Sequence, residues 1–354
     1  MVPGSVPSGV PVNQAPVPLR GAGGSEPGGN EQAARPGEAA RVTVELSPVI
    51  ICVDGTTPRV LTVDAGTGEG LPSGHLDEVL DRTLEQGVRR LVGTELGLSV
   101  RYFEQLYTFG DRDRVPGPRA LAVAYLALAG YQALHGPGDP AWRSCYELLP
   151  WEDWRAGRPG TIDEVIVPAL ARWLGSSPAA TLPARAERAE LTFGTGHARW
   201  DPLRVLDRYE LLYELGLVGE ATSRPGGSKG VGGAGPEGAA PGGMGIALAL
   251  DHRRVVAAAL ERLRGKLAYR PVVFEVLPEA FTLSRLQQVV EAFAGQFLHK
   301  QNFRRLIASA NLVEPTGECD LRTGGRPAEL YRFRREVLRE RPAPGLGLRR
   351  LAGP

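Results

Sequence analysis

Cysteine is scarce in this sequence. The three that occur, Cys52, Cys145 and Cys319, stand far apart in 354 residues. They show no metal-ligand spacing and are too few for a disulfide framework, so a reducing, cytoplasmic setting is expected. Histidine is also sparse, and His75, His135 and His197 have no metal-like spacing. A surplus of one charge is missing: 41 Lys and Arg face 40 Asp and Glu, a net +1, so no global field draws the chain to nucleic acid. Any such role must rest on local clustering. No apolar run is long enough to span a membrane, and the N-terminus lacks the charged stretch and apolar run of a signal peptide. Residues 1–40 have almost no large apolar side chains; they cannot bury enough surface to offset their ordering entropy and are expected to be disordered.

Order is expected from Arg41. Val42, Val44 and Leu46 alternate, Pro48 to Val53 is an apolar run suited to a buried strand, and Arg59 to Val63 reads as its hairpin partner across a turn at Gly55 to Pro58. A glycine-rich loop, Gly66 to Gly70, is not followed by the Lys-Ser or Lys-Thr of a P-loop. Leu76, Val79, Leu80, Leu84, Val88, Leu91 and Val92 then recur at helical spacing up to Gly97. Helical periodicity is seen again at Asp163 to Leu174, at Val205 to Leu217, and in the strong helix that Ile246 to Arg254 enters and that runs to Lys266.

The C-terminal part is the most informative. Thr282 or Ser284 can cap a helix carrying Leu286, Val289, Val290 and Phe293, which Gly295 ends. A second helix from Lys300 places Phe303, Leu306, Ile307 and Ala310 on one face and Lys300, Gln301, Arg304 and Arg305 on the other. Pro315-Thr316-Gly317 and Gly324 to Pro327 read as turns, and Leu330 to Phe333 alternates like a strand. From Lys300 to Arg341 there are ten Lys and Arg against six acids, the local clustering that the whole chain lacks. Helix, turn, basic helix and Gly-rich hairpin is the layout of a winged helix-turn-helix, with the second helix sized for a DNA major groove.

The strings FTL…LQ, KQNFRR, EPTGE and GRPAELYRF in this stretch resemble the winged-helix domain of the NrtR-type regulators of bacterial NAD metabolism genes. ALDHRRVVAAALERLRGKLAYRPVVFEVLPEAFTL resembles their linker helix and entry strand. The segment from Leu71 to Leu128 resembles a Nudix fold, with Leu71-Pro72-Ser73-Gly74 in place of its Leu-Pro-Gly-Gly-like turn. Arg89 to Leu98 stands where that family has its Arg-Glu-x-x-Glu-Glu-x-Gly helix, and Tyr102 to Asp111 and Ala122 to Leu128 match the strands that follow it there. PWEDWR and RYELLYE are similar to strings of the NadQ group of NAD regulators. The resemblance implies an α/β plus α+β chain: a degenerate Nudix-like α/β/α sandwich followed by a C-terminal winged helix-turn-helix. Its expected parts are a disordered tail (1–40), a sensor domain (41–221) with an aromatic-rich insertion (about 135–200), a flexible Gly/Pro loop (222–245), a linker helix (246–270), the winged-helix domain (271–337) and a loose tail (338–354).

Nudix hydrolysis needs Mg²⁺ or Mn²⁺ held by glutamates on one helical face. Here Leu91 and Thr94 stand at two of those positions and only Glu95 remains. Asp81 and Glu85 lie a turn or two upstream, too far for easy service. No metal, no catalytic residue and no catalytic cofactor are therefore expected. A disabled pocket can still bind a nucleotide, with arginines meeting the pyrophosphate. Arg89, Arg112 and Arg114 are the sensor candidates, the last two in a charged loop from Gly110 to Arg114. Arg90 and Arg119 are also available. Trp142, Tyr146, Trp151, Trp154 and Trp173 crowd the insertion. Trp151 could stack a base or nicotinamide with Arg155 or Arg158 near phosphates; a compact insertion with an aromatic core explains the same residues and is favoured.

The expectation is a DNA-binding transcriptional regulator, a repressor of NAD biosynthesis or salvage genes, with NAD or ADP-ribose as effector. It would act as a homodimer on double-stranded operator DNA, without membrane contact. Lys300, Gln301, Asn302, Arg304 and Arg305 would face the major groove, with Arg326 in the wing and dimer contacts on the linker helix. The rivals are a Nudix hydrolase with an accessory winged helix, and a scaffold whose winged helix binds protein.

Overall fold

The computed structural model describes residues 42–112, 114–115, 119–134, 139–222, 243–321 and 327–346. The expected disordered tail, most of the Gly/Pro loop, Arg326 and the last eight residues lie outside them. The described residues form one compact unit.

In chain order the strands are β1 (Thr43–Asp54), β2 (Thr57–Asp64), β3 (Glu69–Gly70), β4 (Gly74–His75), β5 (Tyr102–Phe109), β6 (Ala120–Leu128), β7 (Ala141–Ser144), β8 (Phe281–Thr282), β9 (Val313–Asp320) and β10 (Ala328–Phe333). The helices are α1 (Leu84–Arg90), α2 (Cys145–Leu148), α3 (Val167–Gly175), α4 (Leu182–Phe193), α5 (Val205–Glu214), α6 (Gly219–Thr222), α7 (His252–Leu267), α8 (Leu283–Ala294), α9 (Lys300–Ala310) and α10 (Val337–Glu340). The first seven strands form a mixed sheet with the central order β3-β2-β1-β6-β5. β1 and β2 pair antiparallel around a turn in which Gly55 takes φ +57°, and β1 runs parallel to β6 over nine paired positions.

The two central strands are apolar on both faces, as a sheet covered on both sides requires. Val49, Ile51 and Val53 of β1, with Ala124, Leu126 and Leu128 of β6, face the larger core; Leu46, Ile50, Val123 and Tyr125 face a smaller one with Val88 and Val92. The result is three layers, with α1 on one side and α7 on the other.

The segment before α1 differs from expectation. The helix begins at Leu84, where Thr83 caps it by accepting the Gln86 N–H. Val79 and Leu80, counted into the apolar stripe, are exposed in a loop that Asp77 pins by accepting from Val79 and Leu80. After Arg90 the helix loosens into one wide turn, Leu91–Glu95, and Gly97 at φ +64° ends it.

α7 starts at His252, and the residues from Ile246 lead into it without being helical. No residue of α7 is exposed. It is the central helix of the larger core, packed among the sheet, α5 and α8, and Arg254, Glu261, Arg262 and Gly265 are its partly exposed positions. The insertion is compact and aromatic inside: Trp151 and Trp173 are buried, and Trp154 packs on Trp200 at 4.5 Å between centroids. It also holds α4, which the sequence pattern did not signal. The tail is not loose up to residue 346: Leu346 is buried and its N–H donates to the Leu267 carbonyl.

Candidate nucleic-acid interface

The C-terminal helices form as their sequence predicts. Thr282 caps α8 by accepting the Arg285 N–H, and Gly295 ends it at φ +70°. Leu286, Val289, Val290 and Phe293 are buried. The following turn is tied by Glu291, whose carboxylate accepts from the Leu298 N–H and from Gln287 Nε2, while Gln287 also donates to the Leu298 carbonyl. α9 then buries Phe303 and Ile307 and ends at Asn311, a left-handed residue at φ +49°. Lys300, Gln301, Asn302, Arg304 and Arg305 are all exposed along it. Arg305 donates to Asn302 Oδ1 at 2.7 Å. Lys300 and Arg304 have no ion-pair partner among the described residues, so both cations are free to meet phosphate.

The hairpin departs from the turn pattern of its sequence. Pro315-Thr316-Gly317 is not a turn but part of β9, which pairs with β10 through a register shift near Glu329 and Tyr331. Gly317 sits at φ +84°, a backbone only glycine takes easily, and it lets the strand bulge and twist there. The hairpin is anchored inward by Phe333 stacked on Phe274 at 4.3 Å. Of the arginines here, Arg332 is paired with Glu314 and Arg334 with Glu340. Arg335 is exposed and unpaired among the described residues.

On the sheet domain, the helix turn that would carry a metal is closed. Leu91 is buried, with its methyl groups against Gly74. Glu95 is exposed and bridged by Arg90, which also grips Asp81 in a two-pronged contact. That grip, helped by the Asp77 N–H, holds the Asp81 carboxyl at about 2. Glu85 is taken by Arg89. Among the described residues no three carboxylate, histidine or cysteine side chains gather at one point. The donor set does not fit the divalent cation that the Nudix resemblance would imply.

The five residues expected to bind ligand are not brought together. Arg114 is buried at one end of β1, bonded to Glu45 at 2.6 Å and to Asp251 at 2.8 Å. Arg155 lies toward the other end, donating to the Thr56 carbonyl and to Asp153 and stacking over Tyr146. The ends of this 12-residue strand are roughly 35 Å apart at the usual strand rise. Arg89 is on the outer face of α1 over the Phe103 ring, and Arg112 is exposed in the β5–β6 loop. Trp151 has no exposed surface; its ring is core and cannot stack a ligand base. The loop from Gly110 to Arg114 docks on the start of α7: besides Arg114 and Asp251, Asp111 pairs with Arg254. His252 accepts the Leu71 N–H at Nδ1. Burial, with Arg114 beside it, pushes His252 down to about 4. Burial pushes Asp251 up in spite of Arg114.

A pocket of about 430 Å³ opens elsewhere, between the far end of β1 and the start of the C-terminal part, lined by Arg101, Gln132, Glu275 and Arg285 among others. Arg101 has no partner among the described residues. Sequence reasoning passes over this arginine because nothing in its local pattern sets it apart from a surface residue. It also passes over Glu152, which is wholly buried between Arg208 and Arg264, at 2.5 Å from each. Burial opposes its ionisation, but the two guanidiniums outweigh that and hold its carboxyl below the usual range. The signal was available: Arg264 falls in phase with Leu260, Leu263 and Leu267, and a charge on an apolar stripe needs a buried partner.

Residues 273–333 match the family described as the NrtR DNA-binding winged helix domain. A curated relative, the ADPR responsive transcriptional repressor NtrR of Acinetobacter baylyi, is 38% identical over 86 residues. That alignment covers 24% of this chain and 34% of the relative, so the chain spans about a third of the length of the curated protein it matches. Among solved structures, Shewanella oneidensis NrtR complexed with a 27mer DNA aligns at TM-score 0.49 and 23% identity, over 83% of this chain and 94% of that one. A MutT/nudix family protein from Enterococcus faecalis aligns at TM-score 0.48 and 18% identity, over 86% and 90%. Scores at this level leave the fold to the strand order and helix caps described above. The C-terminal part of this chain, residues 273–333, carries a domain of the NrtR DNA-binding winged helix family.

Proposed function

We propose that the chain is a ligand-responsive transcriptional regulator that reads DNA through α9. The observation carrying this is the exposed row Lys300, Gln301, Asn302, Arg304 and Arg305 on the second helix of a winged helix domain of that family. Arg and Lys neutralise phosphates, while Gln and Asn amides can bond base edges in pairs. Two copies in a homodimer would set their α9 helices one helical turn of DNA apart, about 34 Å, on a palindromic operator. The linker segment stays the candidate for contacts between copies, through its partly exposed Arg262 and Gly265 and the exposed Tyr269 and Arg270. Arg326 is assigned to the wing by the same reading.

The sheet domain is read as a degenerate Nudix sensor without hydrolytic activity, because Leu91 fills with methyl groups the place of a metal ligand. The effector proposed is ADP-ribose, as in the name of the Acinetobacter relative, or NAD. The target genes would be those of NAD biosynthesis or salvage. Arg89 and Arg112 are exposed and stay candidates for its phosphates; Arg101 in the 430 Å³ pocket joins them. Arg114 and Trp151 are committed to the fold.

The test is fluorescence anisotropy of the full chain on promoter fragments of NAD-metabolism genes, at fixed salt, with and without ADP-ribose and NAD. Specific binding that one nucleotide changes supports the reading. Specific binding indifferent to both would remove the ligand, and absence of specific binding would remove the regulator. Calorimetric titration of Arg101→Ala and Arg112→Ala then separates the two places for the nucleotide.

A further inference from the structure

The last carbonyls of a helix have no partner within it and are normally left to water or to a local cap. Those of α8 are met by donors from outside the winged helix domain. The Tyr146 hydroxyl donates to the Ala292 carbonyl at 2.6 Å, Arg264 Nε to the Phe293 carbonyl at 3.1 Å, and the Trp154 N–H to the Gly295 carbonyl at 2.8 Å. Tyr146 and Trp154 belong to the insertion and Arg264 to α7. Arg264 is itself held in place. Arg264 bonds both the carboxylate and the carbonyl of Glu152, and the Glu152 carboxylate also takes two bonds from Arg208 on α5. Arg208 in turn lies under the Trp200 ring at 3.8 Å and donates to the Thr192 and Asp201 carbonyls. The fit leaves no slack: a Cβ on Gly295 would stand 2.5 Å from the Glu152 carbonyl oxygen and 2.7 Å from Arg264 Nη2.

We infer that residues 145–154 of the insertion, with Arg264, form a clamp that positions the DNA-reading helices against the sheet domain. The turn into α9 follows Gly295 directly, so whatever holds the end of α8 sets where α9 points. The clamp gathers the sheet side through β7 and α2, the core through α7, and α5 through Arg208. A ligand that shifts any of them moves the reader through the same three carbonyls, which is the physical link a regulator of the kind proposed above requires. The inference rests on that functional reading for its meaning, but its geometry can be tested apart from DNA.

Two variants of the full chain serve, one mild and one severe. Tyr146→Phe removes one donor and keeps the ring; Gly295→Ala inserts the Cβ. Hydrogen exchange followed by mass spectrometry is read on peptides from α8 and α9 and, as a control, from β1 and β6. The clamp predicts exchange rising at least fivefold in α8 and α9 with β1 and β6 unchanged. A general loss of stability would raise all four, and no rise in α8 and α9 in a folded variant overturns the clamp. On promoter DNA, the variants should keep the wild-type slope of log affinity against log salt, since the phosphate contacts survive, and lose most of the ADP-ribose effect. A full ADP-ribose effect in both variants would also overturn it. If the wild type binds no DNA, the functional reading fails, and the exchange data still decide whether the clamp holds the reader.

Discussion

At the scale of single residues, the chain separates arginines that are free from arginines that are spent. Lys300 and Arg304 have no acidic partner among the described residues, so each is available to one phosphate or base edge. Replacing either by alanine should weaken promoter binding by about 1–3 kcal/mol for a base contact, or lower the salt slope by about one for a phosphate contact. Anisotropy across a salt series reads both. His252 makes a second prediction. Its folded pKa of about 4 lies below the unfolded value near 6.5, because burial and Arg114 disfavour the charged ring more than Glu45 favours it. The unfolded chain therefore takes up a proton that the folded one refuses. Stability from this group is full above pH 6.5 and is lost as pH falls toward 4. Between pH 7 and pH 5 the loss is about 2 kcal/mol, at 1.36 kcal/mol per unit. Urea unfolding at the two pH values measures it, and His252→Asn, whose amide oxygen can still accept the Leu71 N–H, should lack that part of the slope. The sequence showed α9 almost residue by residue, since helical period and local charge are both short-range. It could not show that Arg114 is buried while Arg112 two residues away is exposed, because that depends on Glu45 and Asp251, both remote in sequence.

Elements were legible where caps and periodicity agreed and not where tertiary contacts decided. Thr282 and Gly295 bracketed α8 correctly. Val79 and Leu80 fitted the helical period of α1, but the Asp77 loop and the Thr83 cap start the helix later. Pro315-Thr316-Gly317 has turn chemistry, and pairing with β10 made it a bulged strand. The tryptophan-rich insertion read more readily as a compact aromatic core than as a ligand platform, and Trp151 and Trp173 fill such a core. Its charges were the unread part. Glu152 neutralises two buried guanidiniums at once, so Glu152→Gln would leave Arg208 and Arg264 facing one another without their carboxylate. Breaking a buried ionic contact in this way costs about 3–5 kcal/mol. Equilibrium unfolding in urea should show a loss of that size, whereas Arg158→Gln, which removes a surface pair with Asp163, should change stability by less than about 1 kcal/mol.

For the whole molecule, the larger core does not stop where the winged helix domain begins. Val49, Leu126, Trp151, Tyr209, Leu260, Leu286, Phe293 and Phe303 belong to a single buried cluster that runs from the sheet through α7 into α8 and α9. A chain with two separable cores would unfold in two steps; one with a shared core must lose its packing together. Calorimetry of the full chain should therefore show one transition, with calorimetric and van't Hoff enthalpies in agreement. Two resolved transitions would mean that the winged helix domain stands on its own. The same coupling fixes the response to DNA. A partner present at 100 times its dissociation constant stabilises the folded state by about 2.7 kcal/mol. If the core is shared, promoter DNA should move the single transition upward as a whole by a few degrees, carrying the sheet domain with it although the proposed DNA contacts lie on α9 and the hairpin. A DNA-induced shift confined to part of the transition would show that binding energy at the reader does not reach the sheet, and the route through α7 and Glu152 would then have no thermodynamic role.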